Sequence, residues 1–207
     1  MYARSTTIQA DPQLMDAGLA VVRDEVMPAL MTMPGFVGLS MLCDRMSGRC
    51  IVTSSWDSEE SMHASESAVH ELRARASEAM GGSQPEVGEW EIAMMHRMHD
   101  GHDDCVTRVI WGESDPARAE ENLSTMRMAV LSKMEELPGF CSMSLFVNRD
   151  TGRSAMATTY DSRDLMQQAT DRAMEIRRET TEATGVRVTD VAEFDLVLHH
   201  LRVPEMA

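Results

Sequence analysis

The 207 residues carry 19 Lys and Arg against 34 Asp and Glu, a formal charge of −15, with 43% hydrophobic residues, 12 Gly and 7 Pro. Apolar content at that level argues against extended disorder. The lack of any basic stripe argues against nucleic acid as a partner, since phosphate binding starts from positive potential.

No run is apolar and long enough to span a bilayer, and Met1-Tyr2-Ala3-Arg4-Ser5 lacks the long apolar stretch of a signal peptide. A cytoplasmic protein is expected, away from membranes, with its four cysteines as free thiols. Tyr2 to Gln9 reads as a strand. Asp11-Pro12 supplies an N-cap and first-turn pair for a helix with apolar residues at Met15, Leu19, Val22, Val26, Ala29 and Leu30. Pro34-Gly35 ends that helix. Phe36 to Cys43 and Cys50 to Trp56 form a hairpin over Ser47-Gly48, with Cys43 and Cys50 placed to face each other. Ser58 caps a second helix reaching about Met80, and Val87 to Met95 is a last strand with Trp90, Ile92 and Met94 on one side.

At an offset of 104 residues the chain then repeats itself without a gap. Pro34-Gly35-Phe36 returns as Pro138-Gly139-Phe140, Asp57-Ser58 as Asp161-Ser162, and Glu89-Trp90-Glu91 as Glu193-Phe194-Asp195. Repeats this long indicate a duplicated domain rather than a solenoid. The boundaries read from sequence are a first repeat at 1–98, a linker at 99–104 and a second repeat at 105–207, its last strand running to about Leu201. The order βαββαβ predicts an α+β fold of two ferredoxin-like repeats, each an antiparallel sheet with both helices on one face. The bare faces are best covered by each other, as a closed or nearly closed barrel with the helices outside.

Met33-Pro34-Gly35-Phe36-Val37-Gly38, followed by Ser55-Trp56-Asp57-Ser58-Glu59-Glu60, resembles the antibiotic biosynthesis monooxygenase-like family of dimeric α+β barrel proteins. The second repeat matches with Leu137-Pro138-Gly139-Phe140 and Thr159-Tyr160-Asp161-Ser162, Tyr160 standing for the family's usual Trp. The resemblance implies that the homodimer of ordinary members is here made within one chain, a monomer acting as a pseudo-dimer, with further homodimerisation left open. It implies cofactor-independent oxygenation of aromatic polyketide-like molecules as one activity and a non-catalytic ligand-binding or sensing module as another. Haem degradation loses support, because the helix position of the family's iron-ligating histidine holds Ala74 and Arg178, and the first strand offers Thr7 and Trp111 where its Asn lies. No cofactor is expected.

Strand alternation divides the hairpins into two faces. Val37, Leu39, Met41, Val52 and Trp56 form a bulky face suited to packing beneath helices. Phe36, Gly38, Ser40, Leu42 and Thr53, with Phe140, Ser142, Ser144, Phe146 and Thr159, form a smaller face. That face is expected to border a pocket for a small apolar or aromatic ligand, or else to let two sheets pack closely. Arg4 and Glu89, and their twins Arg108 and Glu193, fall on neighbouring strands. Facing the barrel they would bind a phenolate or carboxylate and steer a proton; otherwise they are surface ion pairs. His70 sits where the family commonly carries a helix histidine, and its twin is Met174. With His63 and Gly38 also in the first repeat, the pocket is expected on that side. The His96-x-x-His99-x-x-His102 run leaves a strand for a linker and reads as solvated rather than metal-binding, and the 20 methionines read as core filling.

Overall fold

The computed structural model describes residues 1–82, 84–200 and 202–206. Strand β1 (Tyr2–Gln9) leads to helix α1 (Met15–Val21), then to a π-helical turn (Val22–Val26) and helix α2 (Met27–Met31). The helix starts later than Asp11-Pro12 suggested. The Asp11 carboxylate accepts from the Gln13 amide at 2.9 Å and closes a local turn before the helix begins. Strands β2 (Phe36–Cys43) and β3 (Arg49–Trp56) form the expected hairpin, with Cys43 opposite Cys50. Ser58 accepts from the Ser61 amide at 3.1 Å and caps α3 (Glu59–Ala64); α4 (Glu66–Ala79) and β4 (Glu86–Arg97) follow.

The second repeat runs through β5 (Val106–Glu113), a 3₁₀ turn (Pro116–Arg118), α5 (Ala119–Thr125), a second π-helical turn (Met126–Val130) and α6 (Leu131–Glu135). It ends with β6 (Phe140–Asn148), β7 (Arg153–Tyr160), α7 (Arg163–Gln168), α8 (Thr170–Thr184) and β8 (Arg187–His200). The expected end of this strand near Leu201 lies outside the described residues. Gly35 (φ 76°) and Gly139 (φ 67°) explain the repeated Pro-Gly-Phe: each must adopt a left-handed conformation to turn the chain from helix into strand.

The fold is α+β, and its strands hydrogen-bond in the order β1-β3-β2-β8-β5-β7-β6-β4, a closed barrel. Two compact units make up the chain: Met1–Trp90 with Asp195–Val203, and Glu91–Phe194 with Pro204–Ala207. In the first unit the free edge of β2 receives the end of β8, from Cys43↔Asp195 to Leu39↔His200. In the second, β6 receives the end of β4, from Glu91↔Val147 to Arg97↔Ser142. Each unit therefore holds three strands and the start of the fourth from one repeat, and the end of the last strand of the other. The first core centres on Ile8, Val22, Leu30, Met41, Trp56 and Met80, the second on Val106, Leu123, Met143, Tyr160, Met166 and Ile176.

A bulge in β2, after Phe36, and its counterpart in β6, after Phe140, break the simple alternation. Phe36 consequently meets the Trp56 ring edge-on at 5.7 Å, and Phe140 joins the second core. Both stand on the helix side, away from the small face on which strict alternation placed them.

Candidate functional site

The two arginine–glutamate pairs form, on the helix side of each sheet. Arg4 is 1% exposed and fully engaged. It donates to Glu89 at 2.8 Å, to the Met62 carbonyl at 3.0 Å and to the Ser65 hydroxyl at 3.2 Å, and it pairs with Glu66 at 2.9 Å. His63 Nε2 meets the other Glu89 oxygen at 3.1 Å. Burial pushes the Glu89 carboxyl up, but hydrogen bonds from Arg4 and His63 outweigh it and hold the group below the usual carboxylate range. His70 is exposed on α4 and joins no such cluster.

In the second unit the same positions are looser. Arg108 donates to Glu193 at 2.7 Å and to Thr170 at 3.1 Å. Thr170 occupies the place of Glu66, so one carboxylate is gone. The exchange also affects Arg177, whose twin Arg73 lies 3.4 Å from Glu66; among the described residues Arg177 has no carboxylate partner.

Between the sheet and helices of this unit lies a cavity of about 310 Å³. Leu123, Met126, Val130, Leu145, Met156 and Ile176 make its apolar walls, and Arg108, Arg177, Glu193, Asn122, Thr158 and Tyr160 its polar ones. The repeat shows how it arises. In the first unit Trp56 and Met80 are fully buried, and Met80 packs so closely over Gly18 that a Cβ there would meet its Cγ at 2.0 Å. The Trp56 indole N–H donates to Ser54 at 3.1 Å, so that core is both filled and satisfied. In the second unit Tyr160, Thr184, Asn122 and Thr158 replace Trp56, Met80, Gly18 and Ser54. Tyr160 and Thr184 are smaller than their twins and leave space, and Asn122 and Thr158 bring into it polar atoms that lack partners. Asn122 is 9% exposed and Thr158 2%, and neither the Asn122 carboxamide nor the Thr158 hydroxyl makes a hydrogen bond. Such orphans cost roughly 1–3 kcal/mol each unless something binds them. Burial raises the Tyr160 phenol above its ordinary value.

Of the expected site residues, Arg108 and Glu193 line this cavity. His70, Arg4 and Glu89 do not, and neither do the ten residues assigned to the small face. The cavity also lies in the second repeat, whereas the histidines of the first pointed the expectation there. The signal that sequence reading missed is the paired loss of bulk at Trp56/Tyr160 and Met80/Thr184.

The polar linker after β4 is ordered as a cluster. His99 Nε2 lies 3.2 Å and His102 Nε2 3.6 Å from Asp161 Oδ1. The ligand atoms of His99, Cys141 and Asp161 all lie within 4.8 Å of one another, as do those of His102, Cys105 and Asp161. Burial raises the Cys105 thiol and pushes Cys141 up to about 12. His96 stands apart, paired with Glu135 and Glu205. All four cysteines are free thiols.

No family model matches the chain. The uncharacterized protein Rv2558 of Mycobacterium tuberculosis (strain ATCC 25618 / H37Rv) is 46% identical over 207 residues, covering 100% of this chain and 87% of the relative. Among solved structures, an anthrone oxidase-like protein superposes with a TM-score of 0.70 at 14% identity, covering 100% of this chain and 95% of its own. A ferredoxin fold protein related to antibiotic biosynthesis monooxygenases, from Listeria monocytogenes 4b F2365, superposes at 0.51 and 12%, covering 99% and 95%. Those likenesses establish a shared fold. No helix among the described residues is long and apolar enough to cross a membrane.

Proposed function

Since the chain belongs to the family of the mycobacterial protein Rv2558 and shares its fold with monooxygenase-like proteins, we propose that it binds a small aromatic molecule bearing an acidic oxygen in the second-unit cavity. The observation that carries this reading is the pair of buried, unpartnered side chains, Asn122 and Thr158, on an otherwise apolar wall. The volume sits at the low end of small-molecule sites. Two guanidinium groups, Arg108 and Arg177, face one carboxylate, Glu193, and favour an anionic oxygen on the ligand. In a protein of net charge −15 that local excess of positive charge is selective.

Binding is tested by thermal shift and calorimetry with small phenols, aromatic carboxylates and anthrone-like ketones. The variant Asn122→Gly/Thr184→Met rebuilds the first unit's packing. It is expected to fold at least as stably as the parent and to lose the ligand-induced shift. An undiminished shift in that variant contradicts the reading.

A second reading, cofactor-independent oxygenation, is favoured by Glu193 and Tyr160 standing on the same cavity as the arginines. Glu193 would take a proton from an activated ring methylene, and the carbanion would pass an electron to dioxygen. Recombination and loss of water leave a ring carbonyl, one oxygen atom entering the product and the other leaving as water. The cavity's part is desolvation and orientation. Oxygen uptake with anthrone-like substrates, lost in Glu193→Gln while binding persists, is the expected result. Binding without oxygen uptake leaves the sensing module.

A further inference from the structure

We propose that His99, His102, Cys105 and Cys141, gathered around Asp161, form a zinc site that fastens the segment between β4 and β5. The donors come from three places in the fold: the linker, the start of β6 and the residue after β7. They converge although 62 positions separate the first from the last.

Three features point to a cation rather than to a network of hydrogen bonds. First, two imidazole nitrogens approach one buried carboxylate oxygen, and that oxygen still makes no hydrogen bond. Groups so close and unaligned leave a gap that a positive ion fills. Second, the histidines are set for it. His99 Nδ1 lies 3.1 Å from the Asp100 carbonyl, the contact that fixes its proton on Nδ1 and turns the Nε2 lone pair inward. The His102 amide likewise donates to Cys105 Sγ at 3.3 Å, as amides do to metal-bound thiolates. Third, the donor atoms are close to a coordination polyhedron. Zn–S and Zn–N bonds of about 2.3 and 2.0 Å give tetrahedral edges of about 3.3–3.8 Å. Within each triad the donor atoms lie within 4.8 Å of one another, a small contraction from such edges, and the two triads share Asp161.

Sulfur with imidazole selects zinc over calcium or magnesium, which take oxygen. None of the five residues lines the cavity described above, so the site stands independently of any ligand there. The first repeat keeps the carboxylate, as Asp57, but has Met1 and Val37 at the twin positions of Cys105 and Cys141 and so lacks both thiols.

The test uses the full chain, reduced and stripped with a chelator. Zinc titration against a chromophoric competitor is expected to show one equivalent bound at submicromolar affinity, and excess zinc to raise the melting temperature by about 5 °C. Cobalt is expected to give intense tetrahedral bands with thiolate charge transfer. Cys141→Ser and Cys105→Ser should each weaken those bands, while Cys43→Ser leaves them unchanged. His99→Ala and His102→Ala, at half-exposed positions where folding is not at stake, should each lower zinc affinity at least tenfold. Binding unaffected by the histidine variants, a weak six-coordinate cobalt spectrum, or Cys105 and Cys141 found joined as a disulfide would each overturn the proposal.

Discussion

Arg4 and Arg108 occupy the same position in the two repeats, but one is saturated with partners and the other is not. The saturated cluster makes a prediction about pH. Glu89 is held below its ordinary range, so its contribution is fully present above the unfolded carboxylate value, about 4.3, and is lost as pH falls through the folded value. Stability measured by denaturant titration is therefore expected to drop on acidification below about pH 4.3. Glu89→Gln should lower stability near neutrality and flatten that acid limb. An acid limb unchanged in Glu89→Gln would remove Glu89 from the account. On the Arg108 side, the same substitutions that took away Glu66's counterpart left charge and polar atoms facing empty space, and it is there that a ligand is expected.

At the scale of elements, the repeated Pro-Gly-Phe sets how each hairpin leaves its helix. Gly139 adopts a positive φ, and a Cβ there would meet Leu165 at 2.6 Å. Gly139→Ala is expected to cost about 1–3 kcal/mol, seen as a lower denaturation midpoint, whereas an unchanged midpoint would mean the turn relaxes freely. Such elements were legible in the sequence because their signals are local: a breaker pair, a capping serine, apolar residues at helical spacing. The repeat supplied the rest of the architecture, since two antiparallel sheets with bare faces leave few solutions. The bulges that turn Phe36 and Phe140 toward the helices were not legible, because one extra residue in a strand leaves no mark on composition. The His99–His102 cluster was hidden for a different reason. Cys141 and Asp161 reach it only through the fold, and neither lies near the histidines in the chain.

At the scale of the molecule, each unit is completed by strand residues from the other repeat, Asp195–His200 of β8 in one and Glu91–Arg97 of β4 in the other. Residues 1–98 expressed alone are accordingly expected to pair, each copy's β4 end adding to a neighbour's open β2 edge, as equilibrium sedimentation would show. A stable folded monomer would contradict this. The contrast between Trp56 with Met80 and Tyr160 with Thr184 has one more consequence. In an assembly of two identical chains, a mutation that hollows one core hollows both, and the stability lost is doubled at every step toward a new pocket. Fusion into a single gene removes that symmetry. One half is free to remain a solid scaffold, while the other explores emptier and more polar interiors at half the risk of unfolding.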